Sequence, residues 1–187
     1  VKSTLAALAL LIATAAAAAA GPARAVTAPA PVIAVAFEGD RVAFASGFEA
    51  RDCNRVRIWT LSTRGVTKLG RKTHCERTST GNSIAQLSLA GKRALWLAYV
   101  GGNTREWSLW TATASAPEPR RLRAATNFAG EPSPFQLGNG DGGLLPYSAG
   151  NRVFGLRADG SRAFSWMAPD RVVALATRDG LVAVASD

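Results

Sequence analysis

A Gly-centred turn recurs four times along the chain. The copies are Phe37-Glu38-Gly39-Asp40-Arg41-Val42, Leu89-Ala90-Gly91-Lys92-Arg93-Ala94, Asn139-Gly140-Asp141-Gly142 and Arg178-Asp179-Gly180-Leu181. Apolar alternation flanks each turn on one or both sides, and Gly39, Gly91, Gly140 and Gly180 lie 52, 49 and 40 positions apart. A period of that size belongs to blade-type or solenoid arrays, whose units bury their apolar faces only by stacking.

Each unit reads as antiparallel strands. Val32 to Phe37 is apolar and β-branched, Arg41 to Ser46 runs back from the turn, Val56 to Leu61 alternates in period two, and Val66 to Leu69 is more polar. A polar last strand keeps a sheet edge from pairing with strangers. The second unit repeats the order over Ile84–Leu89, Arg93–Tyr99, Trp107–Thr113 and Arg120–Arg123. The third is degraded: Pro134–Leu137, Leu144–Tyr147, Asn151–Arg157 and Arg162–Trp166, with a hairpin turn at Ala158-Asp159-Gly160-Ser161. A fourth begins at Val172. The glycine-to-tryptophan offsets, Gly39 to Trp59 and Gly91 to Trp110, agree within one residue, which sets these two tryptophans in equivalent places and in the core between sheets. Trp96, Trp107 and Trp166 are less regular, and an exposed one among them suits stacking on a sugar ring.

The residues Val56-Arg57-Ile58-Trp59-Thr60-Leu61 and Trp107-Ser108-Leu109-Trp110-Thr111-Ala112 resemble the third strand of a WD-repeat β-propeller blade. The resemblance implies four-stranded blades around a central channel, with the tryptophan between neighbouring sheets. Thr60 and Thr111 stand where that family carries Asp, and its opening Gly-His pair is absent, so the array is degenerate and WD-repeat-like. The expected fold is all-β: about three and a half antiparallel blades at 32–71, 84–123, 134–166 and 172–187. Closing a ring takes four to eight blades. The expectation is therefore either a reading frame that continues past Asp187 or two chains that self-associate to complete one ring.

Lys2, the apolar run Leu5 to Ala20 and the small-x-small site Ala23-Arg24-Ala25 have the layout of a signal peptide over residues 1–25. An uncleaved anchor is the rival reading. Residues 26–31 form a Pro-containing linker, and no later apolar stretch suggests a membrane span. The expected location is secreted or cell envelope. Export makes a Cys53–Cys75 disulfide the default, closing a loop worth roughly 3 kcal/mol in the chain-entropy model. A zinc site on the same cysteines would need two more ligands besides His74, the single histidine. Removing Lys2 and Arg24 takes the net charge from +9 to +7. That charge is scattered as isolated arginines rather than clustered, which argues against a nucleic-acid partner.

No catalytic constellation emerges. A Ser-His-Asp triad would depend on His74 beside a disulfide, and Glu49, Asp52, Glu76 and Glu106 have no spacing that makes an acid–base pair. Gly138 to Gly143 precedes Leu144-Leu145-Pro146 rather than a helix, so it reads as a turn and not a phosphate cradle. Asp40, Asp141, Asp159 and Asp179 read as solvated turn residues. Neither a metal nor a cofactor is expected. The connections between second and third strands, 48–54 and 101–106, would share one face of a propeller, where loops on a rigid scaffold bind partners. They supply Glu49, Arg51, Asp52, Asn54, Asn103, Thr104, Arg105 and Glu106 as candidate binding residues. The function expected is a non-catalytic scaffold for a protein or envelope polymer. The alternative is a fragment of an extracytoplasmic propeller enzyme, hydrolase or lyase, with its catalytic residues outside this chain.

Overall fold

The computed structural model describes residues 24–47, 55–70 and 81–187. Most of the expected signal peptide, the Glu49–Asn54 loop and both cysteines with His74 lie outside those residues. The described residues form four antiparallel sheets. The first blade pairs β1 (Val32–Glu38), β2 (Arg41–Ser46), β3 (Val56–Thr60) and β4 (Val66–Leu69) in chain order. The second pairs β5 (Asn82–Ala90), β6 (Arg93–Val100), β7 (Thr104–Thr113) and β8 (Arg120–Phe128). The third pairs β9 (Phe135–Leu137), β10 (Leu144–Ala149), β11 (Arg152–Arg157) and β12 (Arg162–Met167), and a half-blade pairs β13 (Val172–Arg178) with β14 (Leu181–Ser186). The fold is all-β and propeller-like, with about three and a half blades. Among the described residues no helix is long and apolar enough to cross a membrane.

Period-two alternation works on both faces of the middle blades, because each blade lies between two others. Three apolar layers result. Ala43, Ala45, Val56, Ile58 and Leu69 of the first blade meet Ile84, Leu89, Trp96 and Ala112 of the second. Leu95, Leu97, Trp107 and Leu109 on the other face of the second blade meet Leu145, Tyr147, Phe154 and Leu156 of the third. Val153 and Phe164 then meet Leu175 and Val184 of the half-blade.

First strands β1, β5, β9 and β13 stand side by side along the array. Their outer backbone groups have no strand partner, and an unpaired buried amide or carbonyl is costly. Polar side chains reach across to supply the missing bonds. Gln86 Oε1 accepts from Leu137 N at 2.8 Å. Asn139 accepts from Thr177 N at 2.9 Å and donates to Thr177 O at 2.8 Å, so one amide side chain mimics a strand. The carboxylate of Glu38 accepts from Gly91 N, and also from Gly143 N at 3.3 Å. Asp141 accepts from Asp179 N. Asp141 is therefore a connector between blades, while Asp159 keeps to its own turn. The Ser161 amide donates to Asp159 at 2.7 Å, and that bond, then the Ser161 hydroxyl, holds its carboxyl below the usual range. Arg93 ties the second blade to that turn, with Nε donating to Ala158 O at 2.8 Å. Burial first, then Arg120, makes its guanidinium less basic than usual.

Register corrects the tryptophan equivalence. Trp59 stands opposite Val42, whereas Trp110 stands opposite Trp96, and Val42 corresponds to Ala94, not Trp96. The counterpart of Trp59 is therefore Ala112, and that of Trp110 is Arg57. Between paired positions the first blade counts 17 residues, Val42 to Trp59, and the second 18, Ala94 to Ala112, so Trp110, 19 residues after Gly91, stops two short of the counterpart of Trp59. Both tryptophans still point to the same side of their sheets. Trp59 is buried, and Trp110 is half-buried with Arg121 over its ring at 5.9 Å. Trp96 and Trp107 are core residues, while Trp166 is half exposed.

Tyr147 gives this core a pH signature. It is buried and stacked on Phe154, with ring centroids 4.9 Å apart. Burial pushes its phenol above the ordinary 10.0, while Arg123, Arg162 and Arg120 oppose the shift. A raised folded value means the folded state holds the proton more tightly. The stability it confers is complete below the unfolded pKa and lost as pH rises through the folded one. Melting temperatures measured from about pH 8 to 12 are expected to fall less steeply in Tyr147→Phe than in the wild type.

Candidate functional site

The described half of the candidate rim lies at the β6–β7 end of the second blade. The connection is shorter than the sequence suggests, only Gly101 to Asn103, and Thr104, Arg105 and Glu106 already belong to β7. Gly101 makes the short loop feasible. Its φ is +120°, and a Cβ there would stand 2.1 Å from Thr104 O. Gly101 N donates to Gly81 O at 3.0 Å, and Asn103 O accepts from Ala129 N at 2.8 Å, which ties the loop to its neighbours on both sides.

Because β7 alternates, the candidates divide between two faces. Arg105 turns inward and its guanidinium lies 4.6 Å from the centre of the Tyr99 ring. Tyr99 in turn meets Trp107 at 5.1 Å, and Trp107 Nε1 donates to Asn127 Oδ1 at 2.7 Å. Asn127 Nδ2 donates to Pro132 O at 2.8 Å, anchoring the turn after β8. Arg105 is thus a packed residue whose cation sits on an aromatic face, an interaction worth about 0.5 to 2 kcal/mol. Its Nε is buried without a hydrogen-bond partner.

Thr104 and Glu106 point the other way, are exposed, and pair across to Phe128 and Thr126 of β8. Phe128 is the residue sequence reading missed. It is 68% exposed, at the end of a strand that runs five residues past the expected Arg123. The turn holding it is closed by Glu131 N to Phe128 O at 3.0 Å and by Phe128 N to Glu131 Oε2 at 3.2 Å. The alternation of Thr126 and Phe128 around Asn127 was the available signal. Asn103, Thr104, Glu106 and Phe128 together form a surface of one aromatic side chain among polar groups. An anchor ringed by polar contacts is the usual anatomy of a protein-binding patch. Glu49, Arg51, Asp52 and Asn54 lie outside the described residues. Among the described residues no three His, Cys, Asp or Glu side chains converge as metal ligands.

No protein-family model matches the chain, and no curated protein matches it in sequence. Among solved structures it is similar to the computationally designed Ika4 protein at 13% identity and a TM-score of 0.48, over 86% of this chain and 88% of that one. It is similar to BamB from Moraxella catarrhalis at 11% identity and a TM-score of 0.42, covering 81% of this chain and 39% of that one. Raptor from Chaetomium thermophilum gives 16% identity, a TM-score of 0.35, and coverage of 81% and 14%. The chain thus spans well under half the length of the two natural proteins. Identities and superpositions this low carry no function across, and the architecture rests on the chain's own strand pairing.

Proposed function

We propose that this protein is an exported, non-catalytic propeller scaffold that binds a protein or envelope polymer through the rim around Asn103, Thr104, Glu106 and Phe128. The observation that carries the reading is Phe128, a large aromatic held in a hydrogen-bonded turn yet 68% exposed. A rigid aromatic displayed this way loses little entropy on binding and desolvates a large area. Kinship with WD-repeat propellers belongs to the same proposal. The alternating third strands β3 and β7 support it, and the tryptophan positions do not.

The test compares wild type with Phe128→Ser and with Phe128→Ser/Glu106→Lys. Each is immobilised and exposed to purified peptidoglycan and, separately, to a periplasmic extract read by quantitative mass spectrometry. The expected result is at least one saturable ligand whose retention falls about tenfold or more in the variants, with circular dichroism unchanged. Equal retention of every ligand by folded variants would remove the rim from the proposal.

A further inference from the structure

The half-blade is a second copy of the first hairpin. Residues 172–186 match residues 32–46 at a spacing of 140 positions, with seven of fifteen residues identical. Strand pairing agrees as well. Val32↔Ser46, Ala34↔Ala45, Val35↔Phe44 and Ala36↔Ala43 correspond to Val172↔Ser186, Ala174↔Ala185, Leu175↔Val184 and Ala176↔Ala183, and both hairpins shift register after the first pair. Each hairpin therefore has one face of four alanines and one face of larger residues, all apolar in the first hairpin and apolar but for Thr177 in the second.

In the first blade both fates are on view. Its alanine face, Ala34, Ala36, Ala43 and Ala45, is covered by the second blade, chiefly by Leu87 and Leu89 of β5 with Trp96 behind them. By register, Leu87 and Leu89 correspond to Val35 and Phe37 of β1. The half-blade repeats the alanine face as Ala174, Ala176, Ala183 and Ala185, and all four are exposed. The residues suited to cover it are exposed too, with Val35 at 60% and Phe37 at 62%. The two surfaces do not cover each other within one chain.

We infer that the alanine face of β13–β14 is a docking face for β1 of a second copy of this chain, giving head-to-tail association. Small residues let a neighbouring strand approach closely, and Val35 and Phe37 supply the bulk that Leu87 and Leu89 supply inside the chain. Charge agrees. Ahead of the turn, the first and third blades carry Glu38 and Asp141, which accept from the next blade's turn amide. In the half-blade that position is Arg178, whose side chain is 92% exposed with Nε 3.5 Å from Asp179 of its own turn. The turn after β1 carries Asp40, 42% exposed, which pairs with Arg41 at 3.1 Å and accepts from Ser62 Oγ at 2.7 Å. Docking would bring the opposite charges of Arg178 and Asp40 near one another. The interface is heterologous, using two different surfaces. It stands apart from whatever the rim around Phe128 binds.

Sedimentation velocity of the full chain across roughly 1 to 100 µM tests this. Concentration-dependent association is expected. Phe37→Glu and Ala176→Glu, each burying an unpaired charge on docking, are expected to weaken it at least about tenfold. An equimolar mixture of the two variants regains association, because each keeps the face the other has lost. Circular dichroism checks folding, and Ala183→Glu on the same face replaces Ala176→Glu should the latter unfold. Photo-crosslinking with benzoylphenylalanine at position 37 is expected to capture peptides from 172–186 of another copy. A monomer at every concentration, association untouched by folded variants, a mixture that stays apart, or crosslinks mapping elsewhere would each overturn the inference.

Discussion

Gly140→Ala is expected to destabilise the protein by about 3 kcal/mol, read as a lower midpoint in urea. An ideal Cβ on Gly140 would lie 1.7 Å from Leu89 O and 2.5 Å from the Leu89 carbonyl carbon. These are backbone atoms of a buried strand, so no side-chain rotation relieves the clash. One blade must move against the next, and the move loosens the apolar layer that both share. Gly130→Ala is the control. Nothing lies within 4 Å of its Cβ and its φ is not in the left-handed region, so its effect should stay within about 0.5 kcal/mol. A loss below about 1 kcal/mol for Gly140→Ala would mean the two backbones do not approach this closely.

Gly140 also shows where reading the sequence succeeds and where it stops. The turn at 138–143 was legible because glycine runs between apolar stretches mark turns. Its close approach to Leu89 was not, since that depends on how two sheets stack. Strand positions were legible for a related reason. Val32, Ala43, Ile58 and Leu95 lie in runs whose alternation or continuous apolarity answers to sheets buried on one or both faces. Strand ends were less so. Thr104, Glu106, Thr126 and Asn127 look like loop residues, yet their backbones pair across β7 and β8, and a ladder of backbone bonds does not depend on side-chain polarity. The tryptophan mismatch has a similar origin: counting from a glycine cannot see a one-residue insertion, whereas pairing can.

The connections between blades were the least legible part. Glu38, Gln86, Asn139 and Asp141 look like solvated polar residues, yet Gln86 and Asn139 supply hydrogen bonds that the next first strand lacks, and Glu38 and Asp141 accept from turn amides of other blades. Polar residues of that kind acquire meaning only once the next blade is in place. The rim was half legible. Its location at the second-to-third-strand connection followed from the blade pattern, but β7 alternation turns Arg105 onto Tyr99 on the other face, and β8 adds Phe128. The repeat between 32–46 and 172–186 lies in alternate alanines, a weaker signal than the turn glycines beside them, because Gly39 and Gly180 stand one position out of step between the two copies.

The second large effect is expected from Leu97→Ala, at about 2 to 5 kcal/mol. Leu97 is fully buried in the layer between second and third blades, beside Leu95, Leu109 and Leu145, which are also fully buried. Truncation there leaves a cavity walled by two separate sheets held together mainly by that layer and a few side-chain bonds. In an array of stacked units, stability is a sum of unit terms and neighbour terms. A cavity at the boundary therefore weakens the neighbour term most. Beyond a lower midpoint, the urea transition is expected to broaden, with a smaller slope m, as the third blade and half-blade begin to unfold separately from the first two. Val173→Ala, at a 39% exposed site, should shift the midpoint by less than about 1 kcal/mol and leave the slope alone. A Leu97→Ala transition as steep as wild type, with a loss in the predicted range, would show that the blades unfold as one unit despite the cavity. A loss below about 1 kcal/mol would instead mean that the layer between second and third blades is not packed as described, because no fully buried leucine at a tight sheet–sheet contact is that dispensable.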